Sequence, residues 1–257
     1  MAIQLSDRDM MIFKLIEEHQ VLLEKHIAWF ISCDDKPVLI RDRLRKLFYL
    51  DYLLCERHGG KLPWWTTPTK PLVYMLSPMT RELLTAQSTD IDLGNCDSQR
   101  HLLEVANLRM LFLVDQKDGL ISNVAWTTTK AVPGTTAIDA KISFNRNGVD
   151  HRIGIINQPK ADRAELTAVC EKALESGEID MIWIVSRDDA HQEAVQNELA
   201  GSSICQRIAF VTHQDIYKNG IVKAKWQSTE RQYASVCAES VASSSLSIRS
   251  LTPAQAC

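Results

Sequence analysis

The sequence predicts an α/β protein, α+β overall, in two domains. Three observations predict it. Residues 5–87 read as three short helices, two strands and a further helix. Residues 88–95 are polar and acidic and lack apolar periodicity, which places a linker over 88–98. Residues 99–220 then run helix, three strands, helix, strand, with a further helix, strand and short helix behind. The length, 257 residues, suits two ordinary domains, and 45% apolar residues can supply both cores.

The elements follow from local signals. Ser6 stands three residues before Asp9, a capping arrangement ahead of a helix whose apolar face is Met11, Ile12, Leu15 and Ile16. A second helix covers residues 23–32, with Ile27, Ala28, Phe30 and Ile31 inward. The third begins after Asp34 and Asp35, acids suited to a helix N-terminus, with Pro37 in its first turn. Ile40, Leu44 and Leu47 face inward there, and Arg41, Arg45 and Lys46 outward. A strand over 51–57, an irregular loop with Gly59, Gly60, Pro63, Pro68 and Pro71, and a returning strand over 72–76 come next. Ser77 and Pro78 open a helix to about residue 87. A helix followed by two strands joined by a loop is the layout of a winged helix, so residues 1–87 are assigned as a winged-helix DNA-binding domain.

In the second domain, a helix over 99–115 carries a broad apolar face. Strands follow over 120–129, 136–144 and 149–157, the last two joined by an Asn147-Gly148 hairpin signal. A helix over 162–176, a buried strand over 179–186, a helix over 188–199, a strand over 207–212 and a short helix from His213 complete it. The Ser/Ala-rich stretch 234–257 reads as a flexible tail.

Composition narrows the function classes. The net charge of −3 excludes a globally basic protein but not a local basic surface. Seven scattered cysteines without a C-x-x-C pair argue against a zinc ribbon or a disulfide framework. No run approaches a membrane span, and the N-terminus lacks the layout of a signal peptide, so a cytoplasmic protein without a membrane partner is expected.

The basic residues gather on the third helix and the wing. Arg41, Arg43, Arg45 and Lys46 are candidates to read or grip double-stranded DNA, because arginine pairs bidentately with guanine and phosphate contacts fix register. Lys61 and Lys70 flank Trp64 and Trp65 in the wing, where lysines reach phosphates. The tryptophans either enter a minor groove or pack against the domain. The bland alternative for the helix is a solvated face, diluted by Asp42.

The α-β-β-β-α-β order is the core topology of restriction-endonuclease-like nucleases. Such sites pair an Asp on the second strand with an acid and a lysine on the third, because Mg²⁺ or Mn²⁺ needs hard oxygen ligands. Asp139 stands at the first position, and Lys160 could supply the ammonium. The third strand, Arg152 to Asn157, contains no acid. This sequence therefore leans away from an enzyme, toward a nuclease-like scaffold with no cofactor and no metal site. His101 reads as a structural histidine, and Tyr217 as lacking a metal-binding histidine cluster.

Several stretches together resemble the replication-relaxation family: Leu5-Ser6-Asp7-Arg8-Asp9, the wing ending Tyr74-Met75-Leu76-Ser77, the helix His101-Leu102-Leu103-Glu104-Val105-Ala106-Asn107, then Trp126 and Ile138-Asp139. The resemblance covers roughly residues 5–220. It implies a DNA-binding protein of a plasmid or other mobile element, acting at an origin in conjugal mobilisation or replication, with other mobilisation or replication proteins as partners. The family includes C-class mobilisation relaxases, which carry a Glu on the third strand where this chain offers Gly154, Ile156 or Asn157. Two alternatives stand beside that expectation: a metal-dependent DNA-nicking relaxase using Asp139 and Lys160, and a winged-helix transcription regulator.

Overall fold

The computed structural model describes residues 4–33, 38–84, 92–129, 131 and 135–229. The chain is mixed α and β, with eight α-helices and two sheets among the described residues. None of the described helices is long and apolar enough to cross a membrane. The expected flexible tail and the expected position of Pro37 lie outside the described residues.

Helix α1 (Asp7–His19) starts at the predicted capping box: Ser6 and Asp9 each bond the other's backbone N–H. Its buried stripe is Asp9, Ile12, Phe13, Ile16 and His19, at helical spacing. Met11, expected inward, falls at the edge of that stripe and is 49% exposed. Gln20 then takes a positive φ and turns the chain into β1 (Leu22–Leu23). The sequence reading put Leu23 in a helix. Both leucines are instead buried in extended backbone paired with β3, and α2 (Glu24–Ser32) starts one residue later.

Helix α3 (Val38–Tyr49) buries Ile40, Leu44 and Leu47 completely, as its periodicity predicts. Strands β2 (Leu53–Arg57) and β3 (Leu72–Leu76) pair antiparallel, and β1 adds to the other edge, giving the order β1-β3-β2. Helix α4 (Pro78–Leu83) follows, with Ser77 as its cap. Ile12, Phe13, Ile16, Ile27, Leu44 and Tyr74 share one core in this half.

Helix α5 (Cys96–Lys117) opens three residues earlier than periodicity suggested, because Asn95 accepts from the backbone N–H groups of Asp97 and Ser98. It is buried almost all round. Ala106 belongs to the core of the first half, whereas Val105, Leu108 and Phe112 pack on the second sheet. Strands β4 (Ser122–Thr128), β5 (Ala140–Arg146), β6 (Val149–Asn157), β7 (Met181–Ser186) and β8 (Ile208–Thr212) lie in sequence order. The first three form an antiparallel meander, and β6, β7 and β8 are parallel. The predicted hairpin turn is present, with φ of 53° at Asn147 and 82° at Gly148, values that suit Asn and Gly.

Helices α6 (Arg163–Glu175) and α7 (Asp189–Leu199) cover the face opposite α5, through Leu166, Cys170, Val195 and Leu199. On the α5 face, Phe112 lies 5.7 Å from Phe144 and 5.9 Å from Trp183 between ring centroids. Such aromatic pairs contribute about 0.5–1.5 kcal/mol beyond their area. Helix α8 (His213–Asn219) follows β8 directly. The carboxyl ends of β6 and β8 and the first turns of α5 thus meet at one edge of the sheet.

Candidate functional site

Two places concentrate polar chemistry: the surface around α3, and a buried cluster where α5 meets the ends of β6 and β8.

On α3 the four expected cations separate into two kinds. Arg43 is held inward, its Nε donating to Asp9 at 2.6 Å and its Nη2 to the other carboxylate oxygen. Burial works to raise the Asp9 carboxyl, but Arg43 and Ser6 outweigh it and hold it below the usual carboxylate range. Arg43 therefore ties α3 to the start of α1. Arg41 forks onto Glu24 of α2 with donor distances of 2.8–3.1 Å, yet its side chain stays 61% exposed. Arg45 and Lys46 are exposed and form no ion pair among the described residues. The Arg45 guanidinium rests 5.8 Å from the Tyr49 ring centre. Lys46 borders a cleft of about 420 Å³ with Arg8, Asp42 and Arg43.

In the connection between β2 and β3, Lys61 and Lys70 are both exposed. Lys70 lines a second cleft, of about 570 Å³, with Lys25, Arg41, Arg57 and Trp65. The two tryptophans part company. Trp65 anchors its indole N–H on the Thr69 carbonyl at 2.7 Å, whereas Trp64 packs on Tyr217 of α8, 5.3 Å between centroids.

The buried cluster is built around Asn157, the last residue of β6. Asp139 stands just before β5 rather than within a strand; its backbone N–H donates to Ile155 at 2.8 Å. One carboxylate oxygen accepts from the Asn157 backbone N–H at 2.6 Å, the other meets His101 Nε2 of α5 at 2.7 Å. The Asn157 side-chain amide donates to Glu104 at 3.1 Å, and Gln158 donates to the same oxygen at 2.6 Å. That leaves the Asn157 Oδ1 as an acceptor for His213 Nε2 at 2.7 Å, so the proton of neutral His213 sits on Nε2. Its Nδ1 then accepts from the Tyr217 hydroxyl at 2.7 Å.

Electrostatics follow the packing. Burial lowers the His213 imidazole to about 3, so it stays neutral. Burial pushes the Glu104 carboxyl up to about 7, despite Asn157 and His101. One Glu104 oxygen has no hydrogen-bond partner among the described residues, with Arg100 Nε at 3.9 Å. Burial works to lower His101, but Asp139 and Glu104 outweigh it and raise it above its ordinary value. Buried Tyr217 is raised well above its usual value.

Of the three third-strand positions, only Asn157 meets Asp139. A Cβ on Gly154 would lie 2.7 Å from Ile179 Cδ1, and Ile156 packs with α6 and α7. Lys160 is exposed beyond Pro159 and makes no hydrogen bond or ion pair among the described residues. Among the described residues no group of three His, Cys, Asp or Glu is placed to hold a metal ion. Both Asp139 oxygens are engaged, the bonded Glu104 oxygen takes two amides, and His101 lies against the carboxylate that would face the ion.

The sequence reading missed Glu104, His213 and Tyr217 as members of this cluster, and His101 is its link to Asp139. Their only local signals were spacings, His101 with Glu104 and His213 with Tyr217, one helical turn apart. No protein-family model, curated protein or solved structure matches the chain.

Proposed function

We infer that this chain is a double-stranded DNA-binding protein of a plasmid or other mobile element, acting at an origin in mobilisation or replication. The observation that carries DNA binding is the exposed pair Arg45 and Lys46 on α3, which form no ion pair among the described residues, beside a three-stranded antiparallel sheet. Three helices with strand order β1-β3-β2 support a winged helix, with α3 as the element that enters a groove. The sheet order β4-β5-β6-β7-β8, an antiparallel meander leading into parallel strands between helical layers, supports a restriction-endonuclease-like second domain. In that domain the engaged Asp139 and the amide of Asn157 support a scaffold rather than a nicking enzyme. The mobile-element setting rests on the resemblance to the replication-relaxation family.

Removing both cations, as Arg45→Ala with Lys46→Ala, is expected to weaken duplex binding across sequences. The slope of log affinity against log salt should fall by about 2, near 0.9 per phosphate contact. Anisotropy titrations of a labelled duplex at several salt concentrations read both effects; an unchanged slope removes α3 from the interface.

Glu24 competes with DNA for Arg41. Glu24→Gln frees that guanidinium, and duplex affinity at low salt is expected to rise severalfold, by up to ~1 kcal/mol for one exposed pair. Unchanged affinity in the same titration would show that Arg41 does not meet the phosphates.

A further inference from the structure

The cleft between α2, α3 and the β2–β3 connection has a different character from the outer side of α3. Its cations come from four separate parts of the chain: Lys25 from α2, Arg41 from α3, Arg57 from the end of β2, and Lys70 from the connection. One acid, Glu24, lines it, and that carboxylate is already occupied by Arg41. Lys25, Arg57 and Lys70 form no ion pair among the described residues. Arg57 spends one donor on the Lys70 carbonyl at 2.9 Å, which fixes the guanidinium and leaves the remaining donors of its fork.

Most of the remaining wall is apolar, with Leu23, Ala28, Trp65, Pro71 and Leu72. Trp65 lines the cleft half-buried, with its ring pinned through the Thr69 carbonyl, and Leu23 and Pro71 form the floor. An anionic ligand alone would need no indole, and an apolar ligand would need no cations. The combination matches a nucleotide, whose phosphate and planar base ask for both. The volume, about 570 Å³, is that of a small-ligand pocket.

We propose that this cleft binds an unpaired stretch of a single DNA strand, with backbone phosphates on Lys25, Arg57 and Lys70 and a base stacked on Trp65. This goes beyond the duplex contact assigned to Arg45 and Lys46 and does not depend on it. Lys46 borders a separate cleft, so the strand phosphates on Lys25, Arg57 and Lys70 and the duplex contact of Arg45 and Lys46 use different side chains. A protein with both surfaces holds a duplex and, beside it, a strand released from pairing.

The probe is a labelled oligothymidylate of about 12 nucleotides, within the span that single-strand sites cover. Trp65→Ala is expected to weaken its binding about tenfold, the loss of one base–aromatic stack, while Trp65→Phe keeps most of the affinity. Lys25→Ala, Arg57→Ala and Lys70→Ala combined should lower the salt slope for the single strand by about 2, at roughly 0.7 per phosphate. The same triple variant should still bind duplex through Arg45 and Lys46. On the unaltered chain, photocrosslinking a bromodeoxyuridine oligonucleotide is expected to mark the peptide that contains Trp65.

An unchanged slope in the triple variant, or a crosslink confined to other peptides, overturns the proposal. Strand binding lost with Arg45→Ala and Lys46→Ala instead of the cleft variants overturns it too. Duplex binding with no strand binding defeats the cleft alone. Strand binding with no duplex binding supports the cleft and defeats the duplex reading.

Discussion

Acidifying the protein from pH 7 to pH 4 is expected to lower its melting temperature by about 10 °C, with the loss beginning below pH 6.5. Three buried histidines are responsible. Burial depresses His26 and His213 to about 3 and takes His19 well below its ordinary value. A histidine with a depressed folded-state value contributes stability above its unfolded value near 6.5, and loses it as pH falls toward the folded one. Over that interval His26 and His213 each cost roughly 3 kcal/mol by pH 4. Glu104 acts in the opposite sense and restores roughly 3 kcal/mol over the same range, so the net loss is set by the histidines. Calorimetry across pH 4–8 reads the curve, and a flat profile below pH 6.5 would mean that the histidines are solvated. His213→Gln, which keeps a donor and an acceptor, should make the acid limb shallower by roughly 3 kcal/mol.

Glu104→Gln is expected to stabilise the protein at pH 8 by roughly 2–3 kcal/mol, and to leave it unchanged at pH 4. A carboxyl raised to about 7 contributes fully only below its unfolded value near 4.5, and loses that contribution as pH rises through 7. Above pH 7 the ionised group is buried with one oxygen unpartnered among the described residues, which is costly. The amide removes the charge and keeps an oxygen for Asn157 and Gln158. Equal shifts at both pH values, or a loss at pH 8, would contradict a buried carboxylate. His101 reinforces the trend on the alkaline side, because its raised value also withdraws stability as pH climbs.

The parts of the fold that depend on local chemistry were legible in the sequence. Ser6 and Asp9 cap α1 and Asn147-Gly148 turns the hairpin, both where residue type alone placed them. Strand β1 was not legible, since two leucines beside a helix carry no period of their own and become a strand only against β3. The cluster was legible only at Asp139 and, as one of three third-strand positions, at Asn157. Its remaining members are separated by up to 113 residues between His213 and Arg100, and meet only because the sheet brings β6 and β8 against α5. The pairing of Arg43 with Asp9 was equally hidden. A basic run on a helix shows which side chains are charged, but not which have acids waiting 34 residues away.

Helix α5 has a consequence for how such a chain can be inherited. Its Ala106 is sealed under the first half and its Phe112 under the second, so one rod is a wall of both rooms. Glu18 of α1 reaches across to Arg109 at 2.8 Å and to Thr128 of β4, adding a second strap. The halves are therefore not exchangeable beads. A foreign first half spliced in front of α5 would have to bring a surface shaped to that helix, or leave buried leucines in water. Recombination that swaps whole first halves is closed to this architecture, and new surface chemistry there has to come by substitution along α3 and the β2–β3 connection.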